Sequence, residues 1–146
     1  MRSLLMISVL AFAVPDRPDP TPKRANPLKE QLQGEWRVVE SSYNGGQHPG
    51  IGPGVVIVFK DDRMILHLQP GDAGAIFAIR LDETKNPTAF DFSYGTGKSG
   101  WNPTIGIFKI EGDTLTICYH NNVRPSQFAA APNSGLSLWK MKRTRR

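Results

Sequence analysis

The sequence predicts an all-β fold, an eight-stranded antiparallel up-and-down barrel with one short N-terminal helix, and three observations predict it. Segments with a two-residue hydrophobic period recur eight times within 146 residues. Two of the gaps between them are two-residue turns that set apolar residues opposite apolar residues. No βαβ alternation and no internal repeat occurs, which argues against doubly wound nucleotide folds. The same spacing suits a sandwich, but a closed barrel leaves no unpaired edges and an interior just wide enough for side chains or one small ligand.

Residues 1–14 set Arg2 before the apolar run LLMISVLAFAV, the order of a secretory signal and too short for a stable membrane-spanning helix. A secreted or periplasmic location follows, or a cytoplasmic one if the segment is an N-terminal strand. Residues 15–27 hold five prolines among polar residues and read as an extended linker. The domain proper is expected over 28–143. It opens with one or two helical turns, where Leu28 and Leu32 lie four apart, Asn26 can cap the start and Gly34 the end.

From Gly34 the period changes to two, with Trp36 and Val38 on one face of the first strand. Residues 44–54 carry five glycines and two prolines and read as an irregular loop. A hairpin about Asp61-Asp62 pairs Phe59 with Met64, Ile57 with Leu66 and Val55 with Leu68. Its other face sets Val58 against Ile65 and Val56 against His67, so its outer side is expected to be covered or in a dimer contact. Strands 75–82 and 88–94 follow, with Phe77 and Ile79 on one face of the first and Phe90 and Phe92 on one face of the second. A loose loop over 95–103 carries Trp101.

The firmest element is the hairpin over 104–120. With Gly112-Asp113 as its turn, Glu111 faces Thr114, Ile110 faces Leu115, Lys109 faces Thr116 and Phe108 faces Ile117. A slip of one residue would set Ile110 against Asp113. A long loop over 121–134 contains Arg124-Pro125, a last strand covers 135–142, and residues 144–146 form a basic tail.

Charge and cysteine limit the function. The net charge is +5, yet residues 27–139 hold nine Lys and Arg against eleven Asp and Glu, a net of −2. The excess sits at the ends, where it is solvated or meets phosphates or an anionic surface, and no specific nucleic-acid partner is expected. The lone Cys118 lies within an apolar strand and reads as a buried, inert thiol, although His120 shares its face.

The order Leu32-Gln33-Gly34-Glu35-Trp36, Phe90-Asp91-Phe92, Gly106-Ile107-Phe108, Gly112-Asp113-Thr114-Leu115, Ile117-Cys118 and Arg124-Pro125 with Phe128 resembles a family of uncharacterised planctomycete domains described as lipocalin-like. The resemblance covers residues 28–143. It implies a small, often exported lipocalin-like barrel with no established activity, and it supplies no catalytic residues. Gly34-x-Trp36 also resembles the lipocalin motif opening the first barrel strand. There the tryptophan packs at the closed end under a basic residue of the last strand, a part the resemblance gives to Arg143.

No catalytic or metal-binding set emerges from the residues. His48, His67 and His120 share no short ligand spacing, no Gly-x-Ser-x-Gly occurs, and residues 95–100 lack the spacing of a phosphate loop. The expectation is a non-enzyme with no cofactor and no metal. One function is a barrel that binds a small apolar or amphipathic ligand, lined by Trp36, Phe77, Phe92, Phe108 and Tyr119, with Tyr119 or Arg124 fixing its polar end. Those aromatics are equally a filled core, and Arg124 either forks onto a ligand carboxylate or pins its own loop. The alternative is a scaffold that binds a protein or cell-envelope partner through the loops 44–54, 95–103 and 121–134.

Overall fold

The computed structural model describes residues 27–96 and 100–145. The signal-like segment 1–14, the linker up to residue 26 and residues 97–99 of the glycine-rich loop lie outside the described residues. Helix α1 (Pro27–Leu32) leads into β1 (Gly34–Tyr43), β2 (Gly46–Gln47), β3 (Val56–Lys60), β4 (Arg63–His67), β5 (Ala75–Asp82), β6 (Thr88–Tyr94), β7 (Thr104–Glu111), β8 (Thr114–His120) and β9 (Ser137–Arg145). Consecutive strands from β3 onward pair antiparallel, and β1 joins β3 on one side and β9 on the other. Eight strands therefore close into a barrel, with β2 as an extra strand on the end of β1. Among the described residues no helix is long and apolar enough to cross a membrane.

Both expected hairpin registers are present. Phe59 pairs with Met64 and Ile57 with Leu66, and Phe108 pairs with Ile117 and Ile110 with Leu115. Several boundaries differ from the sequence expectation: pairing in the first hairpin ends at Val56 with His67, short of Val55 and Leu68, and β9 starts at Ser137 rather than at residue 135. Residues 44–54 are not wholly irregular, because Asn44 and Gly45, both at positive φ, turn the chain so that Tyr43 pairs with Gly46. At the other end of the chain, Thr144 and Arg145 belong to β9, where Arg145 pairs with Glu35, rather than to a tail.

The barrel has two unlike ends. Short turns at 61–62 and 112–113 and the connection at 83–87 lie at the α1 end, while the connections 44–55, 68–74 and 121–136, with residues 95–96 and 100–103, gather at the other. At the α1 end the interior is solid. Leu32, Trp36, Met64, Phe90, Leu115 and Met141 are 0 % accessible. A void able to admit water would leave surface on its lining.

Arg143 seals this end. Its guanidinium lies 4.1 Å from the Trp36 ring centroid, and it donates to the carbonyls of Gln33, at 2.8 Å, and Gln31. Trp36 Nε1 donates to the Leu32 carbonyl at 2.8 Å. The packing implied for Trp36 and Arg143 by the Gly-x-Trp resemblance is thus present. Lysine cannot reproduce a planar cation that both stacks and forks. Arg143→Lys is expected to cost about 1–2 kcal/mol, read as a lower urea midpoint at unchanged slope. An unchanged midpoint would show that the stacked fork contributes nothing.

Candidate functional site

The open end is where interior side chains keep contact with solvent. Strand alternation turns Phe77 of β5, Phe92 of β6, Tyr119 of β8 and Trp139 of β9 inward, and their rings meet edge to face or tilted. Phe77 and Phe92 are 5.7 Å apart, Phe92 and Tyr119 5.2 Å, and Tyr119 and Trp139 4.9 Å. Phe77 and Tyr119 are half-buried. Above them, residues 44–55 fold across the mouth, and Ile51 enters the core cluster.

His48 fastens that loop. Its Nδ1 accepts from the backbone N–H of Gly50 at 3.1 Å and of Ile51 at 3.0 Å. An imidazole nitrogen that accepts carries no proton, so the ring proton sits on Nε2, which donates to Tyr119 Oη at 3.0 Å. Ser41 Oγ donates to the Ile51 carbonyl. Burial pushes the His48 pKa below its ordinary value. Burial also pushes the Tyr119 hydroxyl up to about 12, so it stays neutral and keeps its proton.

The most informative atom is Trp139 Nε1. Trp139 is 3 % accessible, and its indole N–H completes no well-formed hydrogen bond among the described residues. It faces the Tyr119 hydroxyl as a weak donor, which favours the ionised phenol slightly against the larger effect of burial. A buried donor left open costs about 1–3 kcal/mol.

Of the residues expected to line a pocket, Phe77, Phe92 and Tyr119 share this layer. Trp36 and Phe108 are at most 2 % accessible, within the solid part of the core. Arg124 belongs to the outer face. Its fork meets Asp91 at 2.7 and 3.0 Å, and its Nη1 also donates to the Gly106 carbonyl at 2.7 Å. Asp91 alternates with the inward Phe90 and Phe92, so the pair lies outside the wall and pins the 121–136 loop. Under that loop lie Ala89, Ile107 and Cys118, each at most 3 % accessible. Gly106 is required there for space: a Cβ would come within 2.8 Å of the Cys118 carbonyl and 2.9 Å of the Phe90 carbonyl.

Cys118 donates to the Ala129 carbonyl, and burial pushes its thiol pKa up. His120 Nδ1 is occupied by the N–H groups of Asn122 and Val123. Among the described residues the Cys118 thiol makes its hydrogen bond to a carbonyl and not to a base. Among the described residues no three His, Cys, Asp or Glu side chains gather as a metal site. Sequence reasoning missed His48 and Trp139. The first is one histidine in a glycine-rich loop, and the second alternates like any core residue.

The Arg124 clamp is testable through the thiol beneath it. Arg124→Lys loses the bidentate geometry and is expected to cost about 1–2 kcal/mol, after allowing for water around a partly exposed pair. Labelling of Cys118 by an aromatic disulfide reagent should speed up; an unchanged rate would show that the loop is held by other contacts. No family model, curated protein or solved structure matches this chain, so the functional reading rests on its own residues.

Proposed function

We propose that the chain is an exported, non-catalytic lipocalin-like barrel that holds one small amphipathic molecule at its open end. The apolar body packs on Phe77 and Phe92, and a hydrogen-bond acceptor on the molecule takes the Trp139 N–H beside Tyr119. The observation that carries this reading is the unpaired, buried indole donor in the interior layer that reaches solvent. The solid core below limits the ligand to a shallow seat under the 44–55 loop, so that loop must lift for entry. A small molecule with one acceptor and a flat apolar body suits a site with few polar groups.

Loop opening depends on pH through His48. Protonation of Nδ1 turns an acceptor into a donor facing two other donors, and each hydrogen bond lost is worth about 1 kcal/mol. Among the described residues the ring meets Tyr43, Tyr119 and Trp139. With its pKa lowered in the closed state, the open state binds the proton more readily. Closure is therefore favoured above the ordinary imidazole value and lost as pH falls below it.

The test is a titration of the full chain with anilinonaphthalene sulfonate, monitored alongside near-ultraviolet circular dichroism. Uptake is expected to be about tenfold stronger near pH 5 than near pH 7.5, with the tertiary signal kept. His48→Asn retains an acceptor for the two N–H groups without titrating in this range, and should abolish the pH dependence. Trp139→Phe should weaken uptake near pH 5 about tenfold, the loss of one buried hydrogen bond. No uptake at either pH, or an unchanged pH profile in His48→Asn, would overturn the proposal.

A further inference from the structure

A second surface lies outside the wall, on β4 and β5. The alternation that sends Phe77 and Ile79 inward sends Ile76, Ala78 and Arg80 outward, and Ile65 of β4 pairs with Ile76 on the same outer row. These residues floor an open groove of about 1150 Å³, walled on one side by Trp101. Ile76 is 36 % accessible, high for an isoleucine in a sheet. The outer side of the β3–β4 hairpin was expected to be covered or in a dimer contact; within the chain, its Ile65 lines this open groove.

The charges around it are uneven. Lys60, Arg63 and Arg80 border the groove, and none makes an ion pair among the described residues. Lys29 is held by Asp62 at 2.6 Å, which leaves Asp61 as the one bordering carboxylate outside an ion pair among the described residues. The Arg80 guanidinium lies 4.0 Å from the Trp101 ring centroid. Stacking fixes the plane of the fork before any partner arrives and leaves its N–H edge for a carboxylate.

We infer that this groove docks an extended protein segment that alternates acidic with apolar side chains, a partner distinct from any small molecule at the barrel mouth. The aliphatic floor offers no hydrogen-bonding groups, because the strand backbones beneath it are paired on both sides. Acidic glycans, rich in hydroxyls, gain little from such a floor. The volume exceeds the usual range of about 300–1,000 Å³ for small-molecule pockets, and it is open along one side. Strand addition has no free edge in a closed barrel, so recognition falls to side chains: apolar ones on Ile65, Ile76 and Ala78, carboxylates on Lys60, Arg63 and Arg80.

Heteronuclear shift mapping on the full chain tests this with synthetic peptides of about ten residues, an extended length that spans such a groove. The glutamate–leucine peptide is expected to shift Ile65, Ile76, Ala78 and Trp101. Replacing its glutamates with lysine, or its leucines with serine, should weaken binding about tenfold, since charge and apolar contact are both required. A combined Lys60→Glu, Arg63→Glu and Arg80→Glu variant should lose the same factor with its melting temperature near wild type, as all three side chains are at the surface. Ile76→Asp provides a second, apolar arm and should lose binding while the charges stay in place. The inference is overturned if the glutamate–serine peptide or inorganic polyphosphate binds as tightly, which would mark a plain polyanion surface. It is equally overturned if the shifts fall on the barrel mouth, or if neither variant weakens binding.

Discussion

The last carbonyls of a short helix set the terms for the rest of this barrel. Helix α1 has six residues, too few to stand alone, and its C-terminal carbonyls need partners if they are to be buried. Gln33 supplies two of them, its side chain donating to the Lys29 carbonyl and its backbone N–H to that of Glu30. Trp36 takes Leu32, and Arg143 takes Gln31 and Gln33. The tryptophan stands on the first strand and the arginine on the last, so capping the helix also ties the seam between β1 and β9. Register shifts at Glu35/Trp36 and at Val38/Glu40 interrupt the pairing along that seam. Between the two shifts, the stack of Arg143 on Trp36 holds the strands together.

With one end filled, the longer connections gather at the other. Each of the three histidines organises a connection at that open end through Nδ1. His48 and His120 accept from backbone N–H groups two and three residues ahead. His67 instead meets Asp72 at 2.8 Å, and the second carboxylate oxygen takes the Gln69 N–H. Those bonds, the Gln69 one first, hold the Asp72 carboxyl below the usual carboxylate range. The same ring atom thus holds three connections, as an acceptor for backbone N–H groups in two and against a carboxylate in the third.

Much of the wall was legible because period-two patterning and turn chemistry are local. Gly112-Asp113 and Asp61-Asp62 each admit one register that keeps apolar residues together, and those registers are the ones formed. The β1–β2 turn was equally local, yet Asn44-Gly45 lay hidden in a glycine-rich stretch whose composition suggested no order. The candidate site was less legible because its contacts are distant in sequence. Tyr119 and His48 are 71 residues apart, and Arg124 and Asp91 are 33 apart. Arg124-Pro125 announces a constrained loop, but nothing near it tells whether the guanidinium faces the mouth or the outer wall. That is decided by Asp91, which strand alternation turns away from Phe90 and Phe92.

Alternation also binds the two surfaces to each other. Strand β5 gives Phe77 to the mouth and Ile76, Ala78 and Arg80 to the outer groove, so a one-residue slip would empty both together. The strand is held from both sides: Met64 pairs with Phe77 from β4, and Tyr94 pairs with it from β6, with the Phe77 and Tyr94 rings 5.6 Å apart. Gly95 N–H then donates to the Ile76 carbonyl at 2.8 Å, fixing where the 95–103 loop leaves the wall and hence where Trp101 can meet Arg80. The interior aromatic and the exterior cation are thus placed by the same few backbone hydrogen bonds. Neither surface can be repositioned without loosening the packing that makes the other, which is why a filled barrel can present chemistry on both sides of a single strand.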